Sequence, residues 1–237
     1  AIKTTSDKKL KTFAINLKSP LTSPRFYKSN QLTNGMSAKK LLFKKKIIRQ
    51  IYFAGSLSSA DLSWNIKKSI PFTTKQLNEL IDEGYVNETG FAPSTGVRRP
   101  INYSLKADAQ YIVSVALDQF IARIAILDLQ NKFVFQSEKI ELPLARNPQA
   151  LATLAEKIEA AIIESKLPKD KIAGVGIGMP GFVDTKKGIN YSFLKIPGNS
   201  ITQYICEKLG LPVFIDNDSS LLALAEQRFG AARGKKN

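Results

Sequence analysis

Asn78 and Lys75, with Thr74, Phe72 and Pro71 before them, are spaced so that one helix can turn them outward together. Asn pairs bidentately with adenine and Lys reaches guanine or phosphate, so such a face has the chemistry to read base edges. Ser69 closes the polar turn that begins at Lys67 and Lys68, and it belongs to the same set. Further on, Arg98 and Arg99 stand beside Pro100. Two guanidiniums on a stiff turn suit phosphates or a narrow, A·T-rich minor groove. Taken singly, each of these residues also suits an ordinary solvated surface.

The surrounding sequence supplies the elements to position them. Residues 37–54 place Leu41, Leu42, Ile47, Ile48, Ile51 and Tyr52 near one face of a first helix. Ser58, with Asp61 three residues on, makes a capping box for a short second helix. Pro71 sits in the first turn of a third helix, where its missing N–H costs little. Thr73, Leu77, Leu80 and Ile81 give that helix a buried stripe, and Gly84 ends it. Residues 85–88 and 101–105 read as two strands around the basic tip that holds Arg98 and Arg99. Helix, turn, helix, then hairpin is the order of a winged helix-turn-helix, which presents its last helix to the major groove of DNA.

Charge follows the same division. The chain is +15, but residues 1–106 hold 19 Lys and Arg against 6 acids, while residues 107–237 hold 16 against 14. Cations near phosphates release counterions and give sequence-independent affinity for DNA, although a bare Lys run is more often a solvated face. Residues 1–36, rich in Lys, Ser and Thr and broken by Pro20, Pro24 and Gly35, read as a loosely ordered basic arm.

Composition excludes several chemistries. There is no histidine, which removes imidazole bases and His-ligated metals, and one cysteine, Cys206, which removes an internal disulfide. Cys206 lies in an apolar run and reads as a small core residue. No metal and no cofactor are expected. No apolar stretch spans a bilayer and no export signal opens the chain, so a cytoplasmic protein without membrane contact is expected. Ala1 rather than Met opens the sequence, as in a processed or cut form.

From residue 107 the texture changes. Residues 111–117, 122–129 and 132–142 form an antiparallel three-strand meander. A helix over 148–165 turns Leu151, Leu154, Ile158, Ile162 and Ile163 inward. A buried strand over 172–178 runs into Gly178–Met179–Pro180–Gly181. A helix over 201–209, a strand over 212–215 and a helix from Ser219 complete the order. Asp216, Asn217 and Asp218 stand between the last two, where they can cap the final helix. The fold class is therefore α/β with an N-terminal all-α/winged-helix domain, in three parts: an arm over 1–36, the winged helix-turn-helix over 37–106, and over 107–237 one lobe of an actin-like ATPase (ribonuclease H-like) fold.

Three stretches resemble the ROK family, which groups sugar-responsive bacterial repressors with sugar kinases. They are STGVRRP at 94–100, GVGIGMPGFVD at 174–184 and GLPVFIDNDSSLLALAEQRFGAARG at 210–234. The resemblance implies that Asn217 and Asp218 bind a sugar, the role that the Asn-Asp pair has in the family's kinases, with Gly181 on a facing loop packing against it. A carboxylate and an amide each hold two hydroxyls in fixed geometry. The resemblance also implies a repressor acting on a double-stranded DNA operator, responsive to a sugar or sugar phosphate, as a homodimer or higher homo-oligomer. The alternative it leaves open is an ATP-dependent sugar kinase; a purely DNA-binding fragment is a third possibility.

One departure discriminates between these. Family kinases carry an Asp-x-Gly-Gly-Thr loop whose amides cradle ATP phosphates. Here Ala116, Asp118, Gln119 and Phe120 stand at the Asp, the two Gly and the Thr. With no glycine there and a carboxylate pointing at the phosphate position, neither ATP binding nor an enzyme is expected. The chain is expected to lack the family's second lobe, since it stops near residue 237, and that lobe's zinc cluster cannot be built from one cysteine and no histidine.

Overall fold

The computed structural model describes residues 35–91, 100–194, 200–230 and 232. They divide into two compact units between Ala109 and Gln110. Among the described residues no helix is long and apolar enough to cross a membrane.

The first unit runs α1 (Gly35–Ala54), β1 (Ser56–Ser58), α2 (Ser59–Ile66), α3 (Ile70–Asp82), β2 (Val86–Phe91) and β3 (Ile101–Leu105), closed by a 3-10 turn at Ala107–Ala109. Its sheet is antiparallel in the order β1-β3-β2. The capping box forms at the start of α2: the Ser58 hydroxyl accepts from the Asp61 amide at 3.1 Å, and the Asp61 carboxylate accepts from the Ser58 amide at 3.4 Å. Lys67 ends α2 in the left-handed region, at φ 55°. Ser69 then caps α3, with Pro71 in its first turn. The core is built from Ile47, Ile48, Ile51, Leu62, Leu77, Leu80, Val86 and Leu105. β1, only three residues long and two-thirds serine, has no signature that sequence reasoning could use.

Helix geometry corrects the expected face of α1. Leu42 was placed inward but is 52% exposed, because it sits five residues before Ile47, roughly 140° around the helix. The position that does fall on the stripe, four before Ile48 and seven before Ile51, belongs to a buried lysine, Lys44. On α3 the stripe is Thr73, Gln76, Leu77 and Leu80, with Ile81 only half-buried.

The second unit runs β4 (Tyr111–Leu117), β5 (Ile121–Asp128), β6 (Phe133–Gln136), β7 (Ile140–Glu141), α4 (Ala150–Glu164), β8 (Ile172–Met179), β9 (Val183–Asp184), β10 (Ile189–Asn190), α5 (Ile201–Leu209), β11 (Val213–Asn217) and α6 (Asp218–Phe229). The main sheet is mixed, in the order β11-β8-β4-β5-β6, with β7 also on β5. β8 pairs parallel with β4 and β11, and the β4-β5-β6 meander is antiparallel. β4 and β8 are buried at every position, which is why both read as unbroken apolar runs. A core of Val113, Val115, Leu154, Ile158, Val175, Ile177, Ile205 and Ile215 joins the sheet to α4 and α5.

Three expectations fail here for physical reasons. The third meander strand is two, because at Ser137 the hydroxyl and not a backbone carbonyl accepts the Ile124 amide, and the regular ladder of β6 ends there. Ile163 is 71% exposed, five residues after the inward Ile158. Cys206 is exposed, one position off the inward row of Ile201, Ile205 and Leu209.

Candidate functional site

Two groups of residues carry the chemistry singled out from the sequence, one in each unit. In the first, Pro71, Lys75 and Asn78 are exposed and Thr74 is half-buried. Their spacing of three and four residues puts all of them on one side of α3, away from buried Thr73, Gln76, Leu77 and Leu80. The turn before α3 is held from within. The Ser63 hydroxyl donates to the Lys68 carbonyl, and the Thr73 hydroxyl donates to the Ser69 carbonyl at 3.0 Å. Phe72 departs from expectation: half-buried, its ring meets the edge of Phe43 from α1, with centroids 5.3 Å apart. It fixes α3 against α1 and does not share the exposed row. Arg98 and Arg99 lie outside the described residues.

The ion pairs on the flank of α3 that borders α1 were not foreseen. Lys44 reaches from α1 to Glu79 at 2.8 Å and to Glu83 at 2.5 Å, while Lys40 pairs with Glu79 at 2.8 Å. Burial works against the Lys44 charge, but hydrogen bonds to the two glutamates outweigh it and hold its pKa above the ordinary value. Burial likewise opposes ionisation of Glu79, and the bonds from Lys40 and Lys44 overcome that and hold its carboxyl below the ordinary value. Two of the acids at the end of α3 are thus taken up by α1. The exposed row is left with Lys75, and with Asp82 only at the far end of the helix. Lys44 was legible in principle, since it falls on the stripe of Ile48 and Ile51.

In the second unit the loop after β8 meets the end of β11. The Asn217 amide nitrogen donates to the Gly181 carbonyl at 2.9 Å. Its side-chain oxygen accepts the Ser219 and Ser220 amides at 3.0 and 3.1 Å, capping α6. Asn217, among the three residues expected to cap this helix, is the one that does so, and it ties the two segments together. Asp218 follows in the first turn of α6, half-buried, accepting from the Ser219 hydroxyl at 3.4 Å. The helix dipole favours a carboxylate there. Gly181 has φ 93°, and a Cβ on it would lie 2.6 Å from the Ser192 Cβ, so no other residue fits. The same loop is folded around Asn190, a buried residue that the sequence reading passed over. Its amide nitrogen donates to the Pro180 carbonyl, and its oxygen accepts the Ser192 and Phe193 amides, each at 2.9 Å. Gly181 and Asn217 are thus in direct contact, with Asp218 next to Asn217 at the start of α6.

At the β4–β5 turn the Asp118 carboxylate does not point into open space. It accepts the Phe120 and Ile121 amides at 2.8 and 2.7 Å, while the Asp118 amide donates to the Ile121 carbonyl at 2.9 Å. Both of these turn amides are thus taken up by the chain's own carboxylate.

Residues 119–237 match the ROK family. The xylose repressor of Caldicellulosiruptor bescii is 31% identical over 159 residues, covering 65% of this chain and 39% of that protein. The DNA-binding transcriptional repressor Mlc of Escherichia coli is 25% identical over 195 residues, covering 81% and 48%. A crystal structure described as a ROK family transcriptional regulator, homolog of E. coli MLC, superposes with a TM-score of 0.59 at 25% identity, covering 81% of this chain and 49% of that one. The chain spans about half or less of the length of the curated relatives it matches.

Proposed function

The chain belongs to the ROK family, and its second unit carries that family's mixed α/β sheet, which matches one actin-like lobe; from that premise we propose that it is a DNA-binding transcriptional regulator, a repressor, whose ROK lobe senses a sugar. On this reading α1 to α3 with the β1-β3-β2 sheet form a winged helix-turn-helix over residues 37–106, and residues 107–237 form the ROK lobe. α3 is the helix that enters the major groove. Pro71, Thr74, Lys75 and Asn78 face the bases, Ser69 lies against the backbone, and Arg98 and Arg99 grip phosphates or a minor groove. The observation that carries the reading is the division of labour at α3: Glu79 and, just past the helix end, Glu83 are taken up by Lys40 and Lys44 of α1, while Lys75 and Asn78 are exposed.

The effector is a monosaccharide or its phosphate, held by Asp218 and Asn217 with Gly181 closing the loop against it. The xylose and N-acetylglucosamine repressors among the relatives suggest the sugars to try first. The active form is a homodimer or higher homo-oligomer, since two half-sites about one helical turn apart need two readers. It acts in the cytoplasm and is not an enzyme. A sugar kinase is the second reading, and the Asp118 carboxylate on the Phe120 and Ile121 amides weighs against it.

Selection of bound duplexes from a randomised pool tests the reading directly. An enriched, pseudo-palindromic sequence is expected, and its complex with the full-length form dissociates on addition of a monosaccharide. Recovery of no sequence above the random background would refute it.

A further inference from the structure

The sequence contains one tryptophan, and its side chain is not in a core. Trp64, on α2, is 86% exposed, and Ile70, at the start of α3, is 51% exposed. The two line one open groove with Ala60, Ser63, Lys67, Lys68 and Ser69. Two cations and no acid border it. Lys67 is held in the left-handed turn conformation that ends α2. The Lys68 ammonium stands over the Phe43 ring, 4.8 Å from its centroid. The groove opens at the N-terminal end of α3, where the helix dipole adds positive potential.

We propose that this groove is a clamp for the DNA sugar-phosphate backbone, with the Trp64 indole lying on a deoxyribose face and Lys67 and Lys68 on the flanking phosphates. The inference rests on the DNA-binding reading above and adds to it residues that carry no base specificity. A backbone strand has both halves of the needed chemistry. Its sugars offer apolar C–H faces to an indole, and its phosphates offer charge to the lysines beside it. An acidic or neutral protein partner would match only part of the patch. A clamp next to the N-terminus of α3 fixes the depth at which the exposed row of that helix meets the bases, which is the positioning task of backbone contacts.

The sole indole is its own reporter. The full chain is titrated with a fluorescein-labelled mixed-sequence duplex of about 30 base pairs, three helical turns, following label anisotropy and indole emission together. Emission from Trp64 changes in step with anisotropy. Trp64→Ala weakens binding by roughly tenfold, by the same factor on mixed and on selected sequence, while Trp64→Phe keeps most of the affinity. Lys67→Ala and Lys68→Ala each lower the salt slope by about one. Rising anisotropy with unchanged emission and an unaffected Trp64→Ala variant overturns the clamp and leaves DNA reading by α3 intact. A Trp64→Ala variant that loses self-association in sedimentation, with DNA affinity unchanged, also overturns it and assigns the groove to a second copy of the chain. No rise in anisotropy at low salt overturns the clamp and the DNA-binding reading together.

Discussion

Lys44→Met separates the charge of the α1–α3 network from the packing of its stem. The thioether keeps most of the methylene volume between the helices and removes only the ammonium. Glu83, whose side chain is 42% exposed, then rehydrates, so that pair behaves as a surface ion pair and its loss costs about 0–1 kcal/mol. Glu79 is 22% exposed and keeps Lys40, but it loses a charge-assisted bond at 2.8 Å, worth about 1.5–3 kcal/mol. Relief of the buried ammonium offsets part of this, leaving roughly 1–3 kcal/mol of destabilisation, or about 5–20 °C in the melting of a unit this small. The pH dependence has a definite sign. Glu79 is held below its ordinary 4.5, so its contribution is present above that pH and is lost as pH falls through the lower folded value. Lys44 is held above its ordinary 10.5, so its contribution is present below that pH and is lost as pH rises through the higher folded value. The gap between wild type and Lys44→Met is therefore widest between 4.5 and 10.5 and closes at both ends. Urea melts across that range, with amide exchange in α1 and α3 to assign the loss to the first unit, measure it. A variant as stable as wild type, or a gap that persists unchanged at about pH 3, would refute the argument.

Three further outcomes are expected. Asn78→Ala should cost about 1–3 kcal/mol on a selected operator and little on mixed sequence; equal loss on both in a binding titration rules out base reading. Asp118→Gly removes the carboxylate that accepts two amides and should speed exchange at Phe120 and Ile121 while destabilising the second unit by about 1–3 kcal/mol; unchanged exchange means the carboxylate does not hold the turn. In the full-length form Asp218→Ala should leave duplex affinity unchanged and abolish the effect of the sugar on it; a variant that still releases DNA at the same sugar concentration moves the effector elsewhere.

Much of the local structure was written in short-range pattern. Ser58 with Asp61, Ser69 before Pro71, and the run from Ile201 to Gly210 identify their elements because caps and helix periods involve neighbours only. What escaped depends on partners distant in sequence. Lys44 is buried because Glu79 and Glu83 meet it from another helix, and Gln76 is buried on α3 although its amide marks it as a surface residue. Phe72 looked outward by spacing but found Phe43. Leu42, Ile163 and Cys206 show the opposite error, apolar residues assigned to a core by type when their angle on the helix excludes them. In the candidate ligand site the sequence identified Gly181, Asn217 and Asp218, but not that Asn217 has most of its bonding capacity committed to Gly181 and the end of α6.

The self-occupied β4–β5 turn has a consequence for signalling. A lobe that phosphorylated its sugar would release a different molecule from the one it captured, and its occupancy would depend on turnover. On the proposed reading, with Asp118 seated on the Phe120 and Ile121 amides and no phosphoryl transfer, the receptor returns each sugar as it arrived. The fraction of filled sites then follows the free sugar concentration alone, at equilibrium and independent of nucleotide supply. Detection does not consume what is detected, so gene expression could follow the level of a nutrient without drawing that level down.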